Sequence, residues 1–178
     1  MAATFSWGED TGTATGSPSK GTTRTDPVTN VNWKNIDDST TAYSTAPITA
    51  GNNSFEKWQF GHFSGSYSNI LNGLWAHTAT VFGTGLTLNG AVAPAGGYTT
   101  PSVAANAALS VDMTAPIAIS SGQAVLFGAT GPEAAGKASS AAANPAYTEW
   151  LTTQLLTTVA TSPGDTATVT LSLRYDEN

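Results

Sequence analysis

The chain is predicted to be all-β, an antiparallel β-sandwich or jelly roll with an extended N-terminal arm. Three observations carry that prediction: apolar residues alternate with period two, the apolar segments are short, and Gly, Pro and Asn turns join them. Residues 1–30 are assigned to the arm and residues 31–178 to one sandwich domain, a size at which a sizeable core forms without covalent staples. The arm is Thr, Gly, Ser, Asp and Pro with only Phe5, Trp7 and Val28 as large apolar groups, so alone it has too little to bury to fold. It is expected to lie against a neighbouring subunit.

The first strand beyond the arm is expected over Phe55 to Phe63, with Trp58, Phe60 and His62 on one face and Lys57, Gln59 and Gly61 on the other. Another is expected after the Asn72, Gly73 pair, over Leu74 to Phe82. Asn89 and Gly90, set between Leu86, Leu88 and Ala91, Val92, predict a tight hairpin, because both residue types accept positive φ. Strands are further expected at Ala107 to Met113, Ile117 to Ser120 and Gln123 to Phe127, and an exposed loop from Gly131 to Ala146. From Tyr147 to Val159 the spacing Tyr147, Leu151, Leu155, Val159 fits a helix, whereas Thr152, Thr153, Thr157 and Thr158 favour a strand; the strand is the preferred reading. Ser162 to Asp165 is turn chemistry. It leads into the clearest strand, where Ala167, Val169, Leu171, Leu173 and Tyr175 alternate with Thr168, Thr170, Ser172 and Arg174.

Charged residues make up 10% of the chain, against roughly 25% in an average soluble domain. A surface of small neutral groups costs little to desolvate against another protein, which favours assembly over catalysis. The formal charge is −6, and the six basic residues, Lys20, Arg24, Lys34, Lys57, Lys137 and Arg174, are scattered singly. Nucleic-acid binding needs clustered cations, so none is expected. No cysteine is present, which removes disulfides, thiolate metal sites and cysteine nucleophiles. Neither a secretory start nor an apolar run long enough to span a membrane occurs, so a soluble chain made in its producer's cytoplasm is expected.

Candidate chemistry is sparse. Gly131 to Lys137 matches most of a phosphate-binding loop, but the position after the lysine is Ala138 where Ser or Thr must ligate magnesium. His62 and His77 lack carboxylates at metal-ligand spacing and are expected to be packed or hydrogen-bonded. No Gly-x-Ser-x-Gly elbow is present. The adjacent acids Glu9 and Asp10, Asp37 and Asp38, and Asp176 and Glu177 are read as solvated turns or chain ends, because strand neighbours face opposite sides and do not form a facing catalytic pair. No catalytic, cofactor or metal residue is therefore assigned, although calcium at an acidic turn stays open. Of the tryptophans, Trp58 and Trp75 are expected in the core. Phe5, Trp7 and Trp33 lie in or beside the arm and are the expected interface anchors on another subunit.

The residues Asn32 to Asp38, Ala42 to Phe60 (through Pro47, Ile48, Gly51, Asn52, Asn53 and Phe55), Tyr147 to Thr158, the Pro163, Gly164, Asp165 turn and the closing Leu173 to Asn178 together resemble small virion structural proteins of tailed bacteriophages. The resemblance implies a non-enzymatic part of the particle, made in the host cytoplasm and located in the virion. Its first form is a decoration or cement protein that contacts other copies of itself, as a trimer, and the major capsid protein or other virion proteins. A tail or neck component whose aromatics bind glycans is the alternative.

Overall fold

The computed structural model describes residues 2–77, 82–94, 96–113, 123–142, 144–162, 164 and 168–178. Among these residues there is no α-helix, only one 3-10 turn at Tyr43–Thr45, and twelve strands form two antiparallel sheets in a sandwich-like arrangement. Strands β1 (Ala3–Thr15) and β2 (Lys20–Thr25) form a hairpin. They are followed by β3 (Lys57–Gly65), β4 (Ile70–His77), β5 (Leu86–Val92) and β6 (Val111–Asp112). The short β7 (Gln123–Ala124), β8 (Phe127–Gly128), β9 (Ser140–Ala141) and β10 (Ala146–Thr148) precede β11 (Leu151–Thr157) and β12 (Leu171–Glu177). The large sheet runs β2-β1-β3-β11-β5-β6, with β10 joining β3 to β8; the small one runs β12-β4-β7, with β9 also on β4.

The extended arm is the main correction. Residues 3–25 are not a free tail but the β1–β2 hairpin, and β1 pairs with β3 from Ala3↔Gly65 to Asp10↔Trp58. Cross-strand partners share a face, so Phe5, Trp7 and Glu9 stand beside Phe63, Gly61 and Gln59. That face looks toward the small sheet: Trp7 stacks on Trp75 at 5.0 Å, and Phe5 meets Phe63 at 5.3 Å. Gly61 makes this closeness possible, because a Cβ there would lie 2.7 Å from Phe5 Cε2 and 3.2 Å from Leu173 Cδ2. The apolar residues that receive the arm are thus in the same chain, more than fifty positions away in sequence.

β3 is buried on both faces. Its outer face carries Trp58, Phe60 and His62, and Trp58 and Phe60 cluster there with Tyr98 and Trp150. Loop residue Tyr98 closes over this cluster by donating its hydroxyl to Gly12 O at 2.7 Å.

Asn89 and Gly90 do not turn the chain. They lie inside β5, which pairs with β11 without interruption from Val92↔Leu151 to Leu86↔Thr157. Gly90 is needed there for space, since a Cβ would collide with the Met113 side chain. Asn72 likewise lies within β4, at φ 55°, as a bulge opposite β12. The strand reading of Tyr147 to Val159 holds in β10 and β11, broken at Glu149 and Trp150. Residues 131–146 are largely exposed, pinned by β9 and by a bridge from Phe127 to Ala138. β12 keeps its expected alternation, with Leu171, Leu173 and Tyr175 half-buried and Ser172, Arg174 and Asp176 exposed. The strand expected at Ile117 to Ser120 and two of the four residues of the turn at Ser162 to Asp165 lie outside the described residues.

Candidate functional site

The polar groups that the fold gathers begin with Glu9 and Asp10. As β1 neighbours they point to opposite faces, as expected, but both are buried, not solvated. Glu9 faces inward and accepts from Lys57 Nζ at 2.7 Å, with each side chain 1% exposed. Burial pushes the Glu9 carboxyl up, and Lys57 opposes that rise. Lys57 Nζ also donates to Asp38 O at 2.9 Å, and Lys34 Nζ to Thr41 O at 2.7 Å. Burial, then the neighbouring Lys57, holds the Lys34 ammonium below its usual range. Asp37 accepts from Gly12 N at 2.6 Å. Asp38 accepts from the backbone N–H groups of Thr41 and Thr40, which hold its carboxyl well below the usual carboxylate range. These contacts bind the irregular segment between β2 and β3 to the large sheet.

On the outer face Asp10 takes a two-pronged contact from Arg24, Nε to Oδ1 at 2.7 Å and Nη2 to Oδ2 at 2.8 Å. Arg24 Nη2 also donates to Glu133 at 2.7 Å, Trp150 Nε1 donates to Asp10 at 3.1 Å, and the guanidinium lies 5.0 Å from the Phe60 ring centroid. Burial alone would lower the Arg24 pKa, but the bonds to Asp10 and Glu133 outweigh it and raise it. Nearby, His62 Nδ1 meets Asp26 Oδ2 at 2.5 Å, Ser6 Oγ donates to Asp26 Oδ1 at 2.6 Å, and the imidazole stacks on Tyr147 at 4.4 Å.

Ser6, Asp26 and His62 therefore meet, but the carboxylate stands between the other two. A hydroxyl is activated when it donates to an imidazole; here it donates to Asp26, so the trio holds the β1–β2 hairpin against β3 and makes no nucleophile. Lys137, the lysine of the phosphate-loop look-alike, meets Glu149 at 3.4 Å. Among the described residues no group of three or more His, Asp or Glu side chains is placed to hold a metal ion. The cavity between the sheets, lined in part by Trp75, Gly90, Met113 and Leu171, measures about 10 Å³, room for one water and not for a ligand.

The anticipated anchors Phe5, Trp7 and Trp33 are all half-buried in the chain's own core. Phe5 and Trp7 touch edge to face at 5.7 Å. Trp33 lies elsewhere, against the cluster of Phe82, Leu88, Met113 and Leu155, and its Nε1 donates to Thr153 Oγ1 at 3.0 Å. None of the five tryptophans is exposed, so they form no open aromatic platform.

Two of the exposed apolar side chains stand on a neutral rim. Val159 is 90% exposed and Val103 45%. They flank the turn at residues 49–53, which is fixed by Gly51 N to Thr157 Oγ1 at 2.9 Å, Thr157 Oγ1 to Asn52 O at 2.7 Å and Asn53 Nδ2 to Val103 O at 3.1 Å. Sequence reasoning misses this rim because Val103 carries no periodic signal and Val159 reads as the end of the Tyr147, Leu151, Leu155, Val159 series, whereas β11 stops at Thr157. The buried charges were equally hidden: nothing local separates Lys57 from a solvated strand lysine.

Comparison of the chain with protein-family models, with curated proteins and with solved structures finds no match.

Proposed function

We propose that this chain is a non-enzymatic virion structural protein of a tailed bacteriophage, which decorates or cements the capsid through contacts with copies of itself and with the major capsid protein. The observation that carries the reading is that the fold turns its few charges inward. Four of the six basic residues, Arg24, Lys34, Lys57 and Lys137, meet carboxylates within the chain, and only Lys20 and Arg174 are exposed. What faces outward is mostly Thr, Ser, Asn, Ala and Gly, with the hydrogen-bonded rim around Val103 and Val159. Such a surface loses little hydration when covered, and its turn is already ordered, so contact forms without a large entropic cost.

Binding of this kind depends weakly on salt, because few exposed charges take part. The test is co-sedimentation of the purified chain with capsids assembled without it. Saturable binding that persists at high salt and is lost in Val159→Asp/Val103→Asp supports the proposal. Absence of binding to both unexpanded and expanded shells refutes it. The tail or neck alternative with glycan contacts is less well supported, since no tryptophan is exposed to stack on a sugar.

A further inference from the structure

Among the described residues β12 is an edge strand: it pairs with β4 on one side, and no strand lies on the other. Its seven residues are regular, because the irregularity in this pair is taken up by Asn72 on β4. A long, regular edge offers unpaired backbone donors and acceptors to another strand. Its outward row is Ser172, Arg174 and Asp176, of which Arg174 and Asp176, with Asn72 and Leu74, border an open groove of about 460 Å³. Arg174 has no carboxylate partner among the described residues, unlike the four cations held inside.

We infer that two copies of this chain pair antiparallel along β12, about a two-fold axis through Tyr175. Inward and outward side chains must coincide across such a ladder, so the register moves only in steps that keep the faces matched. Centring on Tyr175 places Arg174 opposite Asp176 of the second copy, and the symmetry makes that contact twice. Centring on Arg174 opposes two arginines, centring on Asp176 opposes two aspartates, and centring on Leu173 sets Arg174 against Ser172. Only one register pairs unlike charges, and like charges directly across a ladder oppose the others. Asp176 keeps an oxygen for the contact, since the bond from Asn72 Nδ2 at 2.7 Å uses Oδ2. Glu177 is held by Ala3 N at 3.0 Å, which leaves Arg174 and Asp176 as the selecting pair. The contact closes at two copies, where the resemblance implied a trimer, and it requires nothing of the virion reading.

Light scattering of the full chain from micromolar to millimolar concentration is expected to show a monomer–dimer equilibrium. Arg174→Asp and Asp176→Arg each oppose like charges and are expected to weaken the dimer at least about tenfold. Mixed in equal amounts, the two variants restore both charge pairs and are expected to form a heterodimer, as is the double variant Arg174→Asp/Asp176→Arg with itself. Unchanged far-ultraviolet circular dichroism and tryptophan emission show that the variants are folded. Where Asp176→Arg does not fold, Asp176→Asn keeps the acceptor for Asn72 and is expected to weaken the dimer. A wild-type chain that stays monomeric, a dimer that neither reversal weakens, or a mixture that does not recover would each overturn the inference. Capsid binding by a strictly monomeric chain would do so while leaving the proposed function intact.

Discussion

Glu9 and Lys57 meet at 2.7 Å with both side chains out of water, so removing either leaves a buried charge facing nothing. At an effective dielectric near 20 the attraction across that distance is about 6 kcal/mol, and desolvating each ion costs several kcal/mol in return. The intact pair is therefore close to neutral in net stability, while a broken pair costs about 3–5 kcal/mol, a large part of a typical total of about 5–15 kcal/mol. Lys57→Met is expected to lower the thermal midpoint by about 6–20 °C, taking about 2–4 °C per kcal/mol at this chain length. Glu9→Gln is expected to cost more, because it leaves Lys34 and Lys57 together without the carboxylate between them. Glu9→Met/Lys57→Met is expected to recover most of the loss, since no unpaired charge remains. Urea unfolding followed by tryptophan fluorescence gives the three values and their coupling. Single variants within about 1 kcal/mol of wild type, or losses that simply add, would refute the reasoning.

Trp7→Ala removes a ring stacked on Trp75 and is expected to cost about 3–5 kcal/mol in the isolated chain; a near-wild-type urea midpoint would show that β1 does not depend on this stack. Stability should also depend on pH in a definite direction. Burial raises the carboxyls of Glu9 and Glu56, so the folded chain binds more protons than the unfolded one above their ordinary value of 4.5, and stability falls as pH rises through that window. Asp38 is depressed by the Thr41 and Thr40 N–H groups, so its contribution is full above its ordinary 3.8 and is lost as pH falls below that. The thermal midpoint is expected to be highest in mild acid, between these limits. A midpoint that climbs steadily from pH 4.5 to 7 would contradict it.

Much of the architecture was legible because strand alternation is local. β12, β3 and β11 can be read from their own residues, since a period of two and Thr-rich composition require no knowledge of the partner strand. The turns were less legible. Asn89–Gly90 is a hairpin signal by residue type, but seven pairings to β11 and the Met113 side chain against Gly90 decide its conformation. The candidate interaction surface was less legible still: Val103 and Val159 lie 56 positions apart and share a rim only because both adjoin the turn at residues 49–53.

The sequence by itself determined the class of fold, the scarcity of charge and the absence of a catalytic constellation that spacing alone would reveal. All of these follow from composition and nearest-neighbour pattern. Only the tertiary structure decided that the polar N-terminal segment is part of the large sheet. Its three large apolar residues are too few to fold alone, but Phe63 and Trp75 supply the surface that Phe5 and Trp7 cover. The same step turned Glu9, Asp10, Arg24 and Lys57 from solvated charges into internal ion pairs, because strand pairing brings residues distant in sequence within hydrogen-bond reach and closes water out.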